Sequence, residues 1–106
     1  MLLGGQYSPQ ATDIYSLGVT LFNIMFLTMP FDDFDIDEFN RNYNNPDLIQ
    51  KFFNFHYSKL GLYNEPHTIE ALILVFRCLN PDPTQRPSWE EIMSNQWISS
   101  VRSLNP

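Results

Sequence analysis

One arginine in this sequence has surroundings that suit the binding of a buried carboxylate. Arg86 lies between prolines in the run NPDPTQRPSWEEIMSNQWI, residues 80–98, and prolines stop a helix and fix the backbone around a turn. The planar guanidinium group can hold a carboxylate with two parallel hydrogen bonds, which suits a buried acid better than lysine does. A solvent-exposed arginine in a turn is the alternative that composition alone allows. The sequence thus leaves open whether this arginine finds its partner in the same chain.

Two other features could in principle do chemistry. The acidic side chains that could bind calcium are Asp32, Asp33, Asp35, Asp37 and Glu38. They lack the glycine and the terminal glutamate of an EF-hand loop, so a solvated acidic face is the favoured interpretation. The single cysteine, Cys78, excludes an internal disulfide framework and a multi-cysteine zinc site, and its apolar neighbours favour a buried structural thiol. The sequence therefore predicts no catalytic residue, no cofactor-binding residue and no metal ligand.

Composition narrows the class of protein. The 106 residues are 43% hydrophobic and 15% aromatic, which is enough for the packed core of one small domain or of a piece of a larger one. The net charge of -6 argues against nucleic acid and against an anionic membrane surface as partners. The start, MLLGGQYSPQ, does not read as a signal peptide, and the run LGVTLFNIMFL is too short to span a bilayer. We expect an intracellular, cytoplasmic protein.

The spacing of apolar residues predicts an all-α fold. A first helix begins at a cap on Ser8 with Pro9 in its first turn and ends before Pro30. Because this helix is apolar nearly all round, we expect it in the middle of a core, covered on most sides. Its apolar positions at helical spacing include Ile14, Leu17, Leu21, Phe22 and Met25.

Three further helices follow from the same pattern. We expect residues 31–47 to form a loop with one irregular turn. A short helix should begin at Asp47, and residues 56–66 should form the connection after it. The next helix is predicted to bury one face, formed by Ile69, Leu72, Ile73, Phe76 and Leu79. Ser88 and Glu91 form a capping-box pattern that begins the last helix.

Two of these stretches together resemble the protein kinase family. YSPQATDIYSLGVTLFNIMFLTMPF is similar to the central helix of the kinase large lobe, and LILVFRCLNPDPTQRPSWEEIMSNQWI is similar to its closing helices. The resemblance covers about residues 4–98 and implies the helical C-terminal portion of the large lobe, without the small lobe or the catalytic loop. We expect residues 1–100 to form this partial domain and residues 101–106 to be a tail. Leu17 and Leu79 favour the serine/threonine branch, and the ending NQWI is similar to that of calmodulin-dependent kinases, although Asn95 and Gln96 depart from it.

The resemblance also implies a function that this chain cannot carry out alone. Members of the family transfer the γ-phosphate of ATP to protein serine or threonine, using a Gly-rich loop, a lysine, a His-Arg-Asp loop and a magnesium-binding Asp-Phe-Gly. None of these runs occurs in the 106 residues, and the two histidines, His56 and His67, are not followed by Arg-Asp. We therefore expect an inactive chain without ATP or magnesium of its own. Its expected partners are upstream kinase segments and, in the intact protein, a protein substrate or regulator. The alternatives are a non-catalytic helical docking or scaffold remnant and an unrelated helical adaptor.

Four structural anchors follow from the resemblance. Asp13 would accept hydrogen bonds from the catalytic loop, unless it is an ordinary exposed acid that favours the helix dipole. Gly18 would allow close packing of a neighbouring backbone. Arg86 would form a buried ion pair with the glutamate of an Ala-Pro-Glu run, which this chain lacks, and Trp97 would line the core or a cleft.

Without that glutamate, Arg86 has three options in this chain. It can turn to solvent, pair with another acid, or stay buried at a cost. A buried charge that has lost its partner typically costs about 3–5 kcal/mol. On that ground, the sequence predicts that Arg86→Met is neutral or stabilising in the chain as given.

Overall fold

The computed structural model describes residues 9–60, 68–95 and 98. Over these ranges the chain forms helices and no strand, so the prediction of an all-α fold is confirmed. The helices are α1 (Pro9–Phe26), α2 (Ile36–Arg41), α3 (Leu48–Leu60), α4 (Ile69–Cys78), a 3-10 turn (Pro83–Gln85) and α5 (Trp89–Ser94). The predicted cap Ser8, the anchor Trp97 and the tail 101–106 lie outside the described residues.

Helix α1 is the element against which α3, α4 and the 3-10 turn all pack. It buries Ile14, Gly18, Phe22, Met25 and Phe26, which share one side of the helix. The expectation that α1 is covered on most sides holds in part: Leu17 and Val19, on either flank of the buried face, also pack against the core, whereas Ile24 is 65% exposed. The helix ends at Phe26, ahead of Pro30. The next residue, Leu27, takes a left-handed conformation (φ 60°) that cannot continue an α-helix.

The acidic segment contains a helix that the sequence pattern did not predict. Helix α2 begins after Asp35, whose side chain accepts a hydrogen bond from the Asp37 amide at 2.8 Å. Acids in its first turn and Arg41 in its last turn both suit the helix dipole. Phe39 is the one buried residue of this six-residue helix, so its sequence shows no periodic spacing of apolar residues that could predict it.

Helix α3 is longer than predicted. Residues 56–60 continue the helix instead of forming a connection. They contain no glycine or proline that would interrupt a helix, and the first such residue in the sequence is Gly61. The positive charge of Lys59, in the last turn, suits the negative end of the helix dipole. The extension carries His56, which is buried.

Helix α4 buries a face that only partly overlaps the predicted one: Phe76 and Leu79 are buried and Leu72 packs against the core, as predicted. The helix begins after Thr68, whose hydroxyl accepts from the Ala71 amide at 3.3 Å. Of the predicted core positions, Ile69 is 68% exposed and Ile73 is 43% exposed. The residues that α4 buries are Ala71, Leu74, Val75, Phe76 and Cys78. The small side chain of Cys78 lets the end of α4 lie close to Gly18 of α1.

Glycine is required where α1 and α4 meet. A Cβ placed on Gly18 would lie 2.6 Å from the Cβ of Cys78, a distance that real Cβ atoms essentially never show. The same position would lie 3.5 Å from the backbone carbonyl carbon of Cys78. The two helices therefore approach to a separation that only glycine permits.

We predict that Gly18→Ala destabilises the chain although alanine is the better helix former. The propensity gain is about 0.5–1 kcal/mol, whereas forcing a methyl group into a packed contact costs about 1–3 kcal/mol. Urea unfolding should therefore show a net loss of about 1–2 kcal/mol. Ser16→Ala, at an exposed position of the same helix, should stay within about 0.5 kcal/mol of the wild type. Equal stability of the two variants would contradict the steric explanation.

The segment between α4 and α5 is held by local hydrogen bonds. The carboxylate of Asp82 accepts from the Thr84 amide at 3.0 Å and caps the 3-10 turn. At the start of α5, the Glu91 amide donates to the Ser88 hydroxyl at 3.1 Å, and the Ser88 amide donates to the Glu91 carboxylate at 3.0 Å. The predicted capping box is thus confirmed.

Candidate functional site

The side chain of Arg86 connects the 3-10 turn to the first turn of α1. Its Nε donates to the carbonyl of Asn80 at 2.8 Å, and its Nη1 donates to the carbonyl of Ala11 at 3.1 Å. The guanidinium carbon lies 4.7 Å from the centroid of the Tyr15 ring, over its face. These contacts orient the guanidinium plane and join two segments 75 residues apart in sequence.

The charge of Arg86 is partly desolvated. Burial lowers the pKa of the guanidinium group, and the nearby Tyr15 and Asp82 oppose that shift. Burial likewise raises the pKa of Tyr15, and the charge of Arg86 opposes that change. An arginine remains protonated under such shifts, so the site keeps a fixed positive charge next to a neutral phenol ring.

Arg86 makes no ion pair with the described part of the chain. The ion pairs there are Lys51–Glu38, Lys59–Asp33 and Arg77–Glu91. Two backbone carbonyls and an aromatic face take the place of a carboxylate, an arrangement that none of the three expected options included. Because the charge has hydrogen-bond acceptors and a cation–π contact, it is not stranded. The physical basis for a neutral or stabilising Arg86→Met is therefore absent.

An open groove lies beside the guanidinium group. It is lined by Thr12, Tyr15, Ser16, Pro81, Pro83 and Arg86 and has a volume of about 280 Å³. The two prolines give the groove a rigid wall, and α1 supplies hydroxyl groups on the other side. Within the described residues, Nη2 of Arg86 has no acceptor. A guanidinium edge in such a groove can bind a carboxylate from outside these residues.

The other predicted anchors have different surroundings. Asp13 is exposed on α1, as the alternative interpretation expected, and its role towards a catalytic loop stays a prediction. Gly18 lies against Cys78 and not at the Arg86 groove. Trp97 lies outside the described residues, while Trp89, on α5, is 39% exposed. The structure therefore places Arg86 against Ala11 and Tyr15 of α1, whereas neither Asp13 nor Gly18 lines the groove.

Sequence reasoning missed the residues that hold Arg86. Tyr15 is the aromatic residue of the Asp-Ile-Tyr-Ser run, yet no local spacing relates it to a residue 71 positions later. The carbonyl of Ala11 carries no side-chain signal at all. His56 was noted only because no Arg-Asp follows it, although it is buried among aromatic rings.

The acidic segment does not form a metal site in the described residues. There, no group of three or more His, Cys, Asp or Glu side chains is arranged to hold a metal ion. Asp33 pairs with Lys59 and Glu38 pairs with Lys51, so part of the acidic face is fixed to α3. In the same part of the chain no helix is both long and apolar enough to cross a membrane.

Comparison with known proteins establishes the family. Residues 1–98 match the protein kinase domain. The testis-specific serine/threonine-protein kinase 2 of Mus musculus is 34% identical over 98 residues, which is 92% of this chain and 24% of the relative. The testis-specific serine/threonine-protein kinase 1 of Homo sapiens is 32% identical over 106 residues, which is 100% of this chain and 26% of the relative. The chain belongs to the protein kinase family.

The matched part of these relatives is small. The serine/threonine protein kinase OSK3 of Oryza sativa subsp. japonica is 32% identical over 100 residues, which is 92% of this chain and 17% of the relative. The chain thus spans about a quarter of these proteins or less. No solved structure matches the chain at a significant level.

We predict that Arg86→Met destabilises the chain by about 1–2 kcal/mol. Hydrogen bonds to a charged group contribute about 1.5–3 kcal/mol, and the half-buried position of Arg86 reduces that figure. Arg86→Lys should recover part of the loss, because it keeps the charge but not the planar fork. Denaturant titration of the wild type, Arg86→Met and Arg86→Lys gives the three free energies of unfolding to compare.

The matched control is Arg77→Met. Arg77 lies in the last turn of α4, and its ion pair with Glu91 is exposed and should contribute little to stability. If Arg86→Met proves neutral or stabilising, or costs no more than Arg77→Met, the carbonyl and ring contacts do not hold the turn.

Proposed function

We propose that this chain is the C-terminal helical part of a serine/threonine protein kinase domain and does not itself transfer phosphate. It supplies the helical base of the domain, and the groups that bind ATP and magnesium belong to upstream kinase segments. The intact domain would transfer the γ-phosphate of ATP to a serine or threonine hydroxyl of a protein substrate. The curated names of the relatives support the serine/threonine branch.

The observation that carries the proposal is the Arg86 groove. A half-buried guanidinium faces an open groove with a rigid proline wall, and within the described residues it has no carboxylate partner. The family resemblance implies a glutamate of an upstream Ala-Pro-Glu run as the missing acid. Its carboxylate would reach Nη2 while Nε and Nη1 keep their contacts with Asn80 and Ala11.

The 106-residue chain alone should neither bind Mg-ATP nor transfer phosphate. Phosphoryl transfer depends on groups that position the phosphates and the metal, and the sequence contains no Gly-rich loop, His-Arg-Asp or Asp-Phe-Gly. A thermal-shift assay with Mg-ATP and a radiolabel assay with a general protein substrate check both points. The mouse testis-specific serine/threonine-protein kinase 2, assayed in parallel, is the positive control. Nucleotide-dependent stabilisation of the chain together with label transfer would refute the proposal.

The sequence of the transcript upstream of the Met1 codon tests the assignment to a kinase. We expect an open reading frame that encodes His-Arg-Asp, Asp-Phe-Gly and Ala-Pro-Glu in that order. An in-frame stop codon directly upstream would instead favour the non-catalytic helical scaffold.

A further inference from the structure

His56 is a buried histidine with only one of its two nitrogens hydrogen-bonded. The residue is 1% exposed, and its Nε2 lies 3.1 Å from the carbonyl oxygen of Pro30, on the connection between α1 and α2. A carbonyl oxygen can only accept, so Nε2 carries the proton in the neutral ring. Nδ1 is buried and has no hydrogen-bond partner among the residues that the structure describes. Nε2–H can donate to Pro30 in both protonation states, so the two states differ in the charge of the ring and in the second N–H, on Nδ1.

Aromatic side chains surround the ring. The centroids of Phe22 on α1, and of Phe52 and Phe55 on α3, lie 4.6, 4.9 and 5.0 Å from that of His56. Phe26 and Phe34 complete the set at 5.9 and 6.4 Å. None of these side chains can accept a conventional hydrogen bond. A proton added to Nδ1 would thus create a buried charge whose new N–H has no acceptor.

Few charges face the ring. Asp33, on the connection after α1, favours the protonated ring, and Lys59, on α3, opposes it. These two groups also pair with each other. Helix α1 contributes only uncharged rings here, since its one charged residue, Asp13, lies nine positions before Phe22. Burial, the largest influence, lowers the pKa of His56, and the Pro30 hydrogen bond opposes it.

We propose that His56 is an acid-sensitive contact in the fold: the neutral ring packs α3 against Pro30 and α1, and the buried charge and unpaired N–H that protonation adds destabilise this packing. The device needs no ligand. It couples a titration to the packing of two helices, because the added charge cannot be accommodated among the aromatic rings.

The direction of the pH effect follows from linkage. The unfolded chain titrates this histidine near its ordinary value of 6.5, and the folded chain titrates it lower. Below that value the unfolded state binds more protons, so the stability present at higher pH is lost as the pH falls through the folded pKa. Between the two values the unfolding constant should rise by up to about tenfold per pH unit.

The test is the unfolding constant of the complete chain from about pH 7.5 to about pH 5, by urea titration. The wild type should show the rise, and His56→Gln, which has no titratable ring, should show much less of it. His67→Gln removes the other histidine of the sequence and is the control: it should keep the part of the pH dependence that His56 causes. Carboxylates titrate in all three proteins, so the difference isolates His56. Equal pH dependence of His56→Gln and wild type would overturn the proposal.

A second variant and a direct observation guard against a misfolded His56→Gln. His56→Phe keeps an aromatic ring in the cluster and should likewise have little pH dependence in this range. Nitrogen NMR of the wild-type histidines should find Nδ1 of His56 unprotonated and a titration of its ring below the ordinary value of 6.5. A titration at or above that value, or a proton on Nδ1 in the neutral ring, would also overturn the proposal.

Discussion

The close approach of α1 and α4 at Gly18 sets the geometry of the candidate site. With 2.6 Å between a notional Cβ on Gly18 and the Cβ of Cys78, the contact between the Gly18 backbone and the Cys78 side chain limits the spacing of these helices. Helix α4 ends at Cys78, so the same contact determines where the following turn begins. That turn carries the Asn80 carbonyl and Arg86, which reaches back to Ala11. Through the spacing of α1 and α4, the lack of a side chain at Gly18 thus affects where the guanidinium group of Arg86 lies.

Helix α1 meets its two neighbours by different means. Small residues bring α4 close, whereas α3 is held by contacts between large rings, Phe22 with Phe52 and Phe26 with Phe53, which tolerate a range of angles. Directional bonds then select one arrangement: the Tyr43 hydroxyl donates to the Phe76 carbonyl at 2.8 Å, and its ring stacks on Phe76 at 4.6 Å. Burial raises the pKa of Tyr43 to about 12, so the hydroxyl remains a donor throughout the neutral range. The hydrogen bond between buried His56 and the Pro30 carbonyl is likewise directional, but unlike Tyr43 the histidine ring can gain a proton at moderately acidic pH.

The sequence predicted elements with strong local signals and failed where distant packing decides. The capping box at Ser88 and the helix that begins at Pro9 were predicted because their signals lie within one turn. Helix α2 was missed because a single buried residue, Phe39, produces no periodicity. The buried face of α4 was predicted only in part, because apolar residues lie on both sides of the helix and packing against distant elements decides which of them are covered. For the candidate site, Arg86 was found from its proline-rich turn, but its contacts with Ala11 and Tyr15 exist only in the folded chain.

The burial of Cys78 gives the chain a natural chemical reporter. It is the only cysteine in the sequence, it is fully buried, and burial raises the pKa of its thiol to about 11. Thiolate is the form that reacts with alkylating reagents, so the folded chain should react very slowly near neutral pH. Labelling then requires that α4 move away from Gly18, and in the regime of rapid reclosing its rate reports the free energy of that opening. The labelling rate of Cys78 would thus report how readily α1 and α4 separate, the two helices that flank the turn carrying Arg86.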